Sequence, residues 1–194
     1  VVRASIGGRP VRPRFTNAFG ASPLVLAGAH LALAGGAGAI EPQTDRALTF
    51  NGRLVAEIPP GAVLLSDPLD FDLPPLTEVA VSIQCQEVPA MLTTHPGSRT
   101  TSYVQRGNLL SATVLPAATA VVHWYFLDGL EVSATAPAGS IVALGDSITD
   151  GHGTTTDRNN RWTDGLAGRL KAQAGTLHVG VLNEGIGGNR LLRD

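Results

Sequence analysis

The fold class and the chemistry are both indicated by one stretch, IVALGDSITDG at residues 141–151. Its first four residues are apolar, which is typical of a short strand that is buried on both faces of a parallel sheet covered by helices. The strand is predicted to end at Gly145, because glycine allows a sharp backbone turn. Asp146 and Ser147 are therefore expected just beyond the carboxyl end of the strand, where open α/β sheets place their reactive groups.

The tripeptide Gly-Asp-Ser has two interpretations. It is an ordinary turn sequence, since all three residue types are common in turns. It is also a candidate site for a serine nucleophile, and its context favours this hypothesis. An apolar strand precedes Ser147. A glycine-rich loop, a helical pattern and a second apolar strand follow it.

Composition limits the classes of protein to which the chain belongs. Its 194 residues carry a formal net charge of -2, with scattered arginines and Lys171 as the single lysine, so no nucleic-acid partner is predicted. The apolar run at residues 118–126 is too short to span a bilayer and contains His123. Cys85 is the single cysteine, and its strand-like surroundings favour a packed apolar role. Asp150 and Asp157 are close in sequence but lack a histidine or cysteine set, so neither a metal nor a cofactor is indicated.

Residues 1–137 are predicted to form a β-sandwich domain of jelly-roll type. Alternating apolar runs recur there, separated by turn residues and without a helical period between them. Short strands at this spacing are typical of sandwiches and jelly rolls. The predicted strands are residues 2–6, 11–15, 24–33, 54–58, 79–83, 109–115 and 121–132.

An α/β domain is predicted over residues 138–194. The preceding segment, residues 134–140, consists of small residues and a proline, which suits a domain boundary. A helix is predicted at residues 161–174 and a second strand at residues 177–182, and strand, helix and strand together imply a right-handed parallel crossover. Two strands and one helix cannot bury their own apolar surface. We expect the cover to come from the β-domain, from a second chain or, as the favoured alternative, from further sequence.

The predicted helix has one apolar face, on which Trp162, Leu166 and Leu170 stand four residues apart. This spacing favours packing over a role for Trp162 in lining a substrate pocket. Asn159 or Asn160 is expected to cap the start of the helix and Gly175 to close its end. Two roles are open to Asp157, Arg158 and Asn160, binding polar groups of a substrate or facing water, and water is favoured.

Two loops are predicted to form half of an active site. A serine hydroxyl needs a base to take its proton, and the tetrahedral intermediate needs donors aimed at its oxyanion. The loop at residues 185–188 follows the second parallel strand, so it should lie beside Ser147 and offer a backbone N–H. Nucleotide binding by this loop is a weak alternative, because its glycines do not have the spacing of a dinucleotide fingerprint.

None of the five histidines has the surroundings that a base requires. His152 is nearest to Ser147, but a flexible glycine-flanked loop does not hold a base well, so a solvated histidine is favoured. His95 precedes Pro96 in a loop of the β-region, and reaching a substrate cleft is its less favoured alternative. The histidines in strand-like runs are expected to be structural: His30, His123 and His178.

The segment GDSITDG after an apolar strand, followed by NEGIGGNR, resembles the first two sequence blocks of the SGNH, or GDSL, hydrolase superfamily of esterases and lipases. In particular it is similar to bacterial secreted members that carry a β-sandwich domain ahead of the catalytic domain. A looser match lies in the β-region at residues 16–20 and 66–68. The resemblance implies that residues 138–194 are the first part of a flavodoxin-like three-layer α/β/α domain. It also implies a secreted or periplasmic location, although the sequence from Val1 onwards shows no signal-peptide pattern.

Residue by residue, the resemblance makes Ser147 the nucleophile and one oxyanion donor, and it makes Gly188 the second donor through its backbone N–H. Asp146 would orient the turn, and Asn189 would have a supporting hydrogen-bonding role, as would Arg190. The family also uses a Gly-x-Asn-Asp block and an Asp-x-x-His pair, and neither occurs in this sequence. Both are expected beyond residue 194, in missing sequence or in a second chain.

Two hypotheses about function follow. The first is a serine ester hydrolase that forms an acyl-enzyme on Ser147 and acts on a small-molecule or carbohydrate ester, including acetyl esters. The alternative is a carbohydrate-binding β-sandwich module attached to an inactive or truncated hydrolase segment. The residues themselves do not select the acyl group or the alcohol.

Overall fold

The computed structural model describes residues 1–134, 137–190 and 192, which are mostly β. The strands are β1 (Val2–Arg3), β2 (Val11–Thr16), β3 (Leu24–Gly36), β4 (Ala39–Ile40), β5 (Arg46–Ala47), β6 (Ala56–Ile58), β7 (Val63–Leu65), β8 (Glu78–Cys85), β9 (Thr94–His95), β10 (Ser102–Val104), β11 (Thr119–Val121), β12 (Trp124–Tyr125), β13 (Leu127–Val132), β14 (Gly139–Gly145) and β15 (Val179–Gly185). The helices are α1 (Ser147–Asp150) and α2 (Trp162–Lys171), and a 3-10 turn covers Pro42–Thr44.

The β-region is built from antiparallel sheets. The 13-residue strand β3 is the centre of a six-stranded sheet with the order β1-β8-β3-β4, in which β5 and β6 also pair with β3. A second sheet has the order β13-β2-β7, and two further pairs are β10-β11 and β9-β12. The chain therefore has several β-sheets, as the alternating pattern predicts.

The six-stranded and three-stranded sheets contribute to one hydrophobic core. Alternate residues of β2 are buried, which is the burial pattern that period-two alternation predicts. Phe15 of this strand is fully buried and packs edge to face on Phe50, with ring centroids 5.7 Å apart. The other fully buried large side chains include Val11, Leu24, Leu26, Leu31, Leu48, Ile58, Leu73 and Val79.

Six of the seven strands predicted in the β-region contain a strand in the structure, and residues 109–115 do not. This apolar run turns back on itself, because the Ala112 N–H donates to the Leu109 carbonyl at 3.1 Å. The Thr113 carbonyl instead accepts a bond from the Ile40 N–H at 2.9 Å. The prediction of a strand here is wrong because local turn bonds replace a ladder.

Asp67 holds a turn of the β-region. Its carboxylate accepts bonds from the Gly52 N–H at 2.8 Å, the Thr49 hydroxyl at 2.7 Å and the Asn51 N–H at 3.0 Å. These bonds, with that from Gly52 foremost, lower the pKa of Asp67 below its ordinary value.

A lowered carboxyl pKa predicts acid sensitivity. The stability from Asp67 is fully present above the pKa of the unfolded chain, about 4, and is lost as pH falls through the lower folded pKa. We expect Asp67→Asn to be less stable than wild type at pH 7 and to lose less further stability between about pH 5 and pH 2.5. Urea unfolding at several pH values measures this. Parallel acid profiles for the two proteins would contradict it.

A parallel pair of strands follows the β-region. β14 and β15 are paired in register, so that Ala143 lies opposite Asn183 and Gly145 opposite Gly185. Both helices lie between these strands in sequence, which confirms the predicted order of strand, helix and parallel strand. β14 begins at Gly139, two residues earlier than predicted.

The prediction that the first strand is buried on both faces is wrong for this chain. Ala143 is buried, but Val142 and Leu144 are 57% and 66% exposed. Alternate residues of a strand point to opposite faces, and α1 and α2 cover only the face that carries Ala143 and Asn183. Within the described residues, two strands and their helices indeed leave apolar surface uncovered.

Helix α2 is shorter than predicted. Its N-cap is Arg161, whose N–H donates to the Asp164 carboxylate at 3.0 Å, so neither predicted asparagine caps it. Asn159 instead donates to Glu78, and Asn160 accepts a bond from the Thr155 N–H. The helix ends at Lys171, which is four residues before Gly175, the residue expected to close it. Its C-cap is Ala172.

The buried face of α2 also differs from the prediction. Thr163 and Ala167 are its buried residues, whereas Trp162 is 49% exposed and Leu166 and Leu170 are half-buried. The Thr163 hydroxyl accepts a bond from Asn183 of β15, so the helix lies against the sheet through small side chains. Packing against a specific neighbour thus overrides the apolar spacing.

The free edge of β15 meets the amino-terminal segment of the β-region. The Ser5 hydroxyl accepts a bond from the Val181 N–H at 2.9 Å and donates to the Val181 carbonyl at 2.9 Å. A side chain on Gly180 would contact Ile6 at 3.4 Å. The parallel pair is therefore in direct contact with the β-region.

The boundary predicted between residues 137 and 138 remains a prediction, and Thr135 and Ala136 of the predicted linker lie outside the described residues. Within the part of the chain that the structure describes, no helix combines the length and the apolarity needed to cross a membrane.

Candidate active site

Ser147 follows the carboxyl end of β14, as the sequence predicts. It is the first residue of α1 and is half-buried. Asp146 is the N-cap of this helix, and its side chain accepts a bond from the Ile148 N–H at 2.9 Å. The Ser147 carbonyl accepts bonds from the N–H groups of Gly151, at 3.0 Å, and His152, at 2.7 Å. The serine therefore stands at a strand-to-helix junction with a well-bonded backbone.

Gly145 has a different role from the predicted sharp turn. It is the last residue of β14, paired in register with Gly185. A Cβ atom at this position would lie 2.2 Å from the Thr149 hydroxyl oxygen. Glycine is required here because α1 folds back closely over the end of the strand.

The second predicted loop lies beside the first. The Ile186 N–H donates to the Gly145 carbonyl at 3.0 Å, and the Asn189 side-chain amide donates to the same carbonyl at 3.3 Å. Between them, Gly188 has a φ of +79°, a conformation that favours glycine. Asn189 also accepts a bond from the Arg190 N–H at 3.1 Å, so it fixes the loop on both sides.

A cavity of about 590 Å³ opens between these two loops. Its polar lining residues include Asp146, Asn189 and Arg190. Its apolar lining residues are Leu144 and Leu192. Ser147 and Gly188 are next to its walls in sequence but do not themselves line it among the described residues. A larger cavity of about 910 Å³ runs between β15 and the β-region. We associate the chemistry with the smaller cavity because both predicted loops border it.

Asn183 connects α1 to the sheet. Its side-chain amide donates to the Thr149 carbonyl at 2.7 Å and to the Thr163 hydroxyl at 3.1 Å. Its side-chain oxygen accepts a bond from the Gly185 N–H at 3.0 Å. One side chain of β15 thus ties α1, α2 and the start of the glycine-rich loop together, a role that the sequence analysis missed.

The other end of α1 is bonded to the β-region. The Asp150 carboxylate pairs with His95 Nε2 at 2.7 Å, and the Asp150 carbonyl accepts a bond from Arg161 Nε at 3.0 Å. Arg161 also donates to the Ser98 carbonyl. These contacts bring His95 to the segment that carries Ser147, and His95 lies in the short strand β9, not in the predicted loop.

Asp157 does not act as a pair with Asp150. Its carboxylate accepts bonds from the Thr101 N–H at 2.7 Å and the Thr101 hydroxyl at 2.6 Å, and its own N–H donates to the Arg99 carbonyl at 2.9 Å. Asp157 is exposed, as expected, and its carboxylate also bonds to Thr101. Arg158 and Asn160 are exposed, as expected.

The remaining candidate side chains lie away from these contacts. His152 is exposed in the loop after α1, and His30 of β3 pairs with Asp45 at 2.9 Å. Burial raises the pKa of the half-buried Cys85 thiol, which agrees with a packed role. His123 lies between β11 and β12, and His178 directly precedes β15. Neither histidine is therefore within a strand. The described residues contain no cluster of three or more side chains able to ligate a metal.

Comparison with known proteins finds a family match in the carboxyl-terminal part of the chain. Residues 141–193 match the model of the family described as GDSL-like Lipase/Acylhydrolase. No curated protein matches the chain. The match covers most of β14 and all of α1, α2 and β15, and it confirms the resemblance drawn from the two sequence blocks. Over residues 141–193 the protein is therefore similar to the GDSL-like Lipase/Acylhydrolase family, a family of hydrolases.

Proposed function

We propose that this protein is a serine ester hydrolase in which Ser147 is the nucleophile. The single observation that carries the proposal is the junction of the two loops, with Ile186 and Asn189 both bonded to the Gly145 carbonyl two residues before Ser147. In the reaction, Ser147 Oγ attacks the acyl carbon while its proton passes to a base. The ester C–O bond breaks, and the alcohol leaves with a proton. Water then attacks the acyl-enzyme and releases the acid.

The oxyanion would be stabilised by the backbone N–H groups of Ser147 and Gly188. Ser147 is at the first position of a helix, where N–H groups have no partner inside the helix, and the positive φ of Gly188 suits a turn that presents backbone donors. Asp146 and Asn189 support these donors by fixing the two loops. Loss of one oxyanion donor typically lowers kcat by about 10²- to 10³-fold.

The base and a third oxyanion donor are proposed to come from polypeptide outside this sequence, as a carboxyl-terminal remainder or a second chain. Among the described residues, neither the exposed His152 ring nor the His95 ring, which pairs with Asp150, is hydrogen-bonded to Ser147 Oγ, so neither is arranged as the base. In this proposal residues 1–137 are a β-sandwich and residues 138–194 the first part of a flavodoxin-like α/β/α domain.

The proposed substrate is a small-molecule or carbohydrate ester. The cavity between the loops supports this class of ligand, since Asp146, Asn189 and Arg190 offer hydrogen bonds beside the apolar Leu144. The resemblance to secreted esterases also leads us to propose a secreted or periplasmic location.

Covalent labelling tests the nucleophile directly. The native gene product, purified from its host, is treated with a fluorophosphonate, and the labelled peptide is identified by mass spectrometry. We expect the label on Ser147 and no label on a Ser147→Ala variant, whereas Ser140→Ala, an exposed position of β14, should label like wild type. An unlabelled, folded native protein or a fully labelled Ser147→Ala variant would refute the assignment.

A further inference from the structure

The orientation of α1 depends on contacts outside the helix. It has only four residues, with Ser147 at its first position and Asp150 at its last. A single helical turn does not maintain its own geometry in water, because short helices are marginal without tertiary contacts. Groups that fix Asp150 therefore also fix the residue proposed as nucleophile, one turn away.

Asp150 is bonded through its side chain and through both of its backbone groups. Its N–H donates to the Asp146 carbonyl at 3.0 Å, its carbonyl accepts from Arg161 Nε at 3.0 Å, and its carboxylate pairs with His95 Nε2 at 2.7 Å. The carboxylate side chain is only 15% exposed, whereas the His95 side chain is partly open to solvent. Two of these three bonds fix the helix from outside.

The His95 side of this contact is itself anchored in the β-region. His95 lies in β9 opposite Trp124 of β12, and the two rings meet edge to face with centroids 5.9 Å apart. The Trp124 ring N–H donates to the Val1 carbonyl at 3.0 Å. A Cβ atom on Gly97 would lie 2.2 Å from the Asp150 carboxylate, so the loop after β9 packs directly on this side chain.

We propose that His95 and Asp150 are a pair of positioning residues through which the β-region holds Ser147 in its reactive orientation. The inference rests on the proposed function, and it gives the β-region a part in the chemistry. His95 acts through Asp150 and α1; no proton transfer to or from the substrate is assigned to it. Arg161 strengthens the same contact, because it bonds to both the Asp150 and the Ser98 carbonyl groups.

The test compares variants of the native gene product by the rate of fluorophosphonate labelling and by kcat and KM for p-nitrophenyl acetate. We expect His95→Ala to lower the labelling rate and kcat about 10- to 100-fold with little change in KM, since small misplacements of reacting groups cost this much. His95→Gln, which keeps a side-chain N–H donor, should recover most of the loss. The double variant His95→Ala/Asp150→Ala should be no slower than the slower single variant.

The chain provides a matched control in His30, which pairs with Asp45 at 2.9 Å within the β-region. His30→Ala should lower Tm by an amount similar to His95→Ala and leave the labelling rate unchanged. A His95→Ala protein that labels within twofold of wild type, or that loses no more rate than His30→Ala, would overturn the proposal.

Amide hydrogen exchange separates this proposal from the proposed function. Exchange at residues 148–152 should rise about tenfold in His95→Ala and stay unchanged in His30→Ala, because only the first variant releases α1. If the wild-type protein fails to label while exchange changes in this way, the nucleophile assignment fails and the coupling of the β-region to α1 stands. Unchanged exchange in His95→Ala would overturn the coupling whatever the label shows.

Discussion

Gly185→Ala is expected to destabilise the packing of α1 on the parallel strands by about 3 kcal/mol, at the upper end of the usual cost of overpacking. The new Cβ atom would lie 2.2 Å from the Asp150 backbone nitrogen, and no side chain there is free to rotate away. The helix must move, which strains the bonds from Asn183 to Thr149 and from Asp150 to Asp146. Urea unfolding measures the free energy, and fluorophosphonate labelling should slow at least about tenfold as Ser147 shifts.

Gly187→Ala is the matched control, because it changes a glycine of the same loop in the same way. Its Cβ atom would meet no neighbour within 4 Å, and Gly187 is not among the glycines with positive φ. The alanine should therefore be neutral or slightly stabilising, by up to about 1 kcal/mol. Equal destabilisation by the two substitutions would show that close approach of α1 is not the reason for glycine at residue 185.

Phe15→Ala is expected to lower the free energy of unfolding by about 3–5 kcal/mol. Phe15 is fully buried where β2 meets the core formed with the six-stranded sheet, and its ring packs against Phe50. Truncation removes the transfer free energy of the ring and leaves a cavity that neighbouring strands close only in part. Urea unfolding followed by intrinsic tryptophan fluorescence reports the change, with contributions from Trp124, which packs against this core, and from the exposed Trp162.

Phe19→Ala is the control for loss of an aromatic ring outside the core. Phe19 lies four residues further along the chain and is 69% exposed, so its truncation should change stability by less than about 0.5 kcal/mol. If both substitutions cost the same, the core does not lie where the burial pattern of β2 places it.

The alternation of apolar residues predicted most of the longer strands, because burial on one face is recorded locally in the sequence. β3 and β8 are the clearest cases, and their pairing forms the centre of the largest sheet. Several strands of two or three residues, such as β5, β7 and β9, were missed. β9 is too short to show a period in the sequence. It is a strand because it pairs with β12, about 30 residues away in sequence.

The candidate site was predicted in its local parts and missed in its long-range parts. Ser147 and Gly188 belong to short motifs whose strand, turn and glycine pattern is contiguous. The partner of Asp150 is His95, 55 residues away, and no spacing rule connects them. Trp162 shows the converse, since a regular apolar spacing predicted burial for a residue that the sheet leaves exposed.

The hydroxyl of Ser5 determines at which edge the parallel pair can accept another strand. It occupies both main-chain groups of Val181, which point away from β14, so a neighbour on that side would have to displace it. An additional parallel strand would therefore pair with the outer edge of β14. The amino-terminal segment thus blocks one edge of the pair, and among the described residues no strand pairs with the other edge, that of β14.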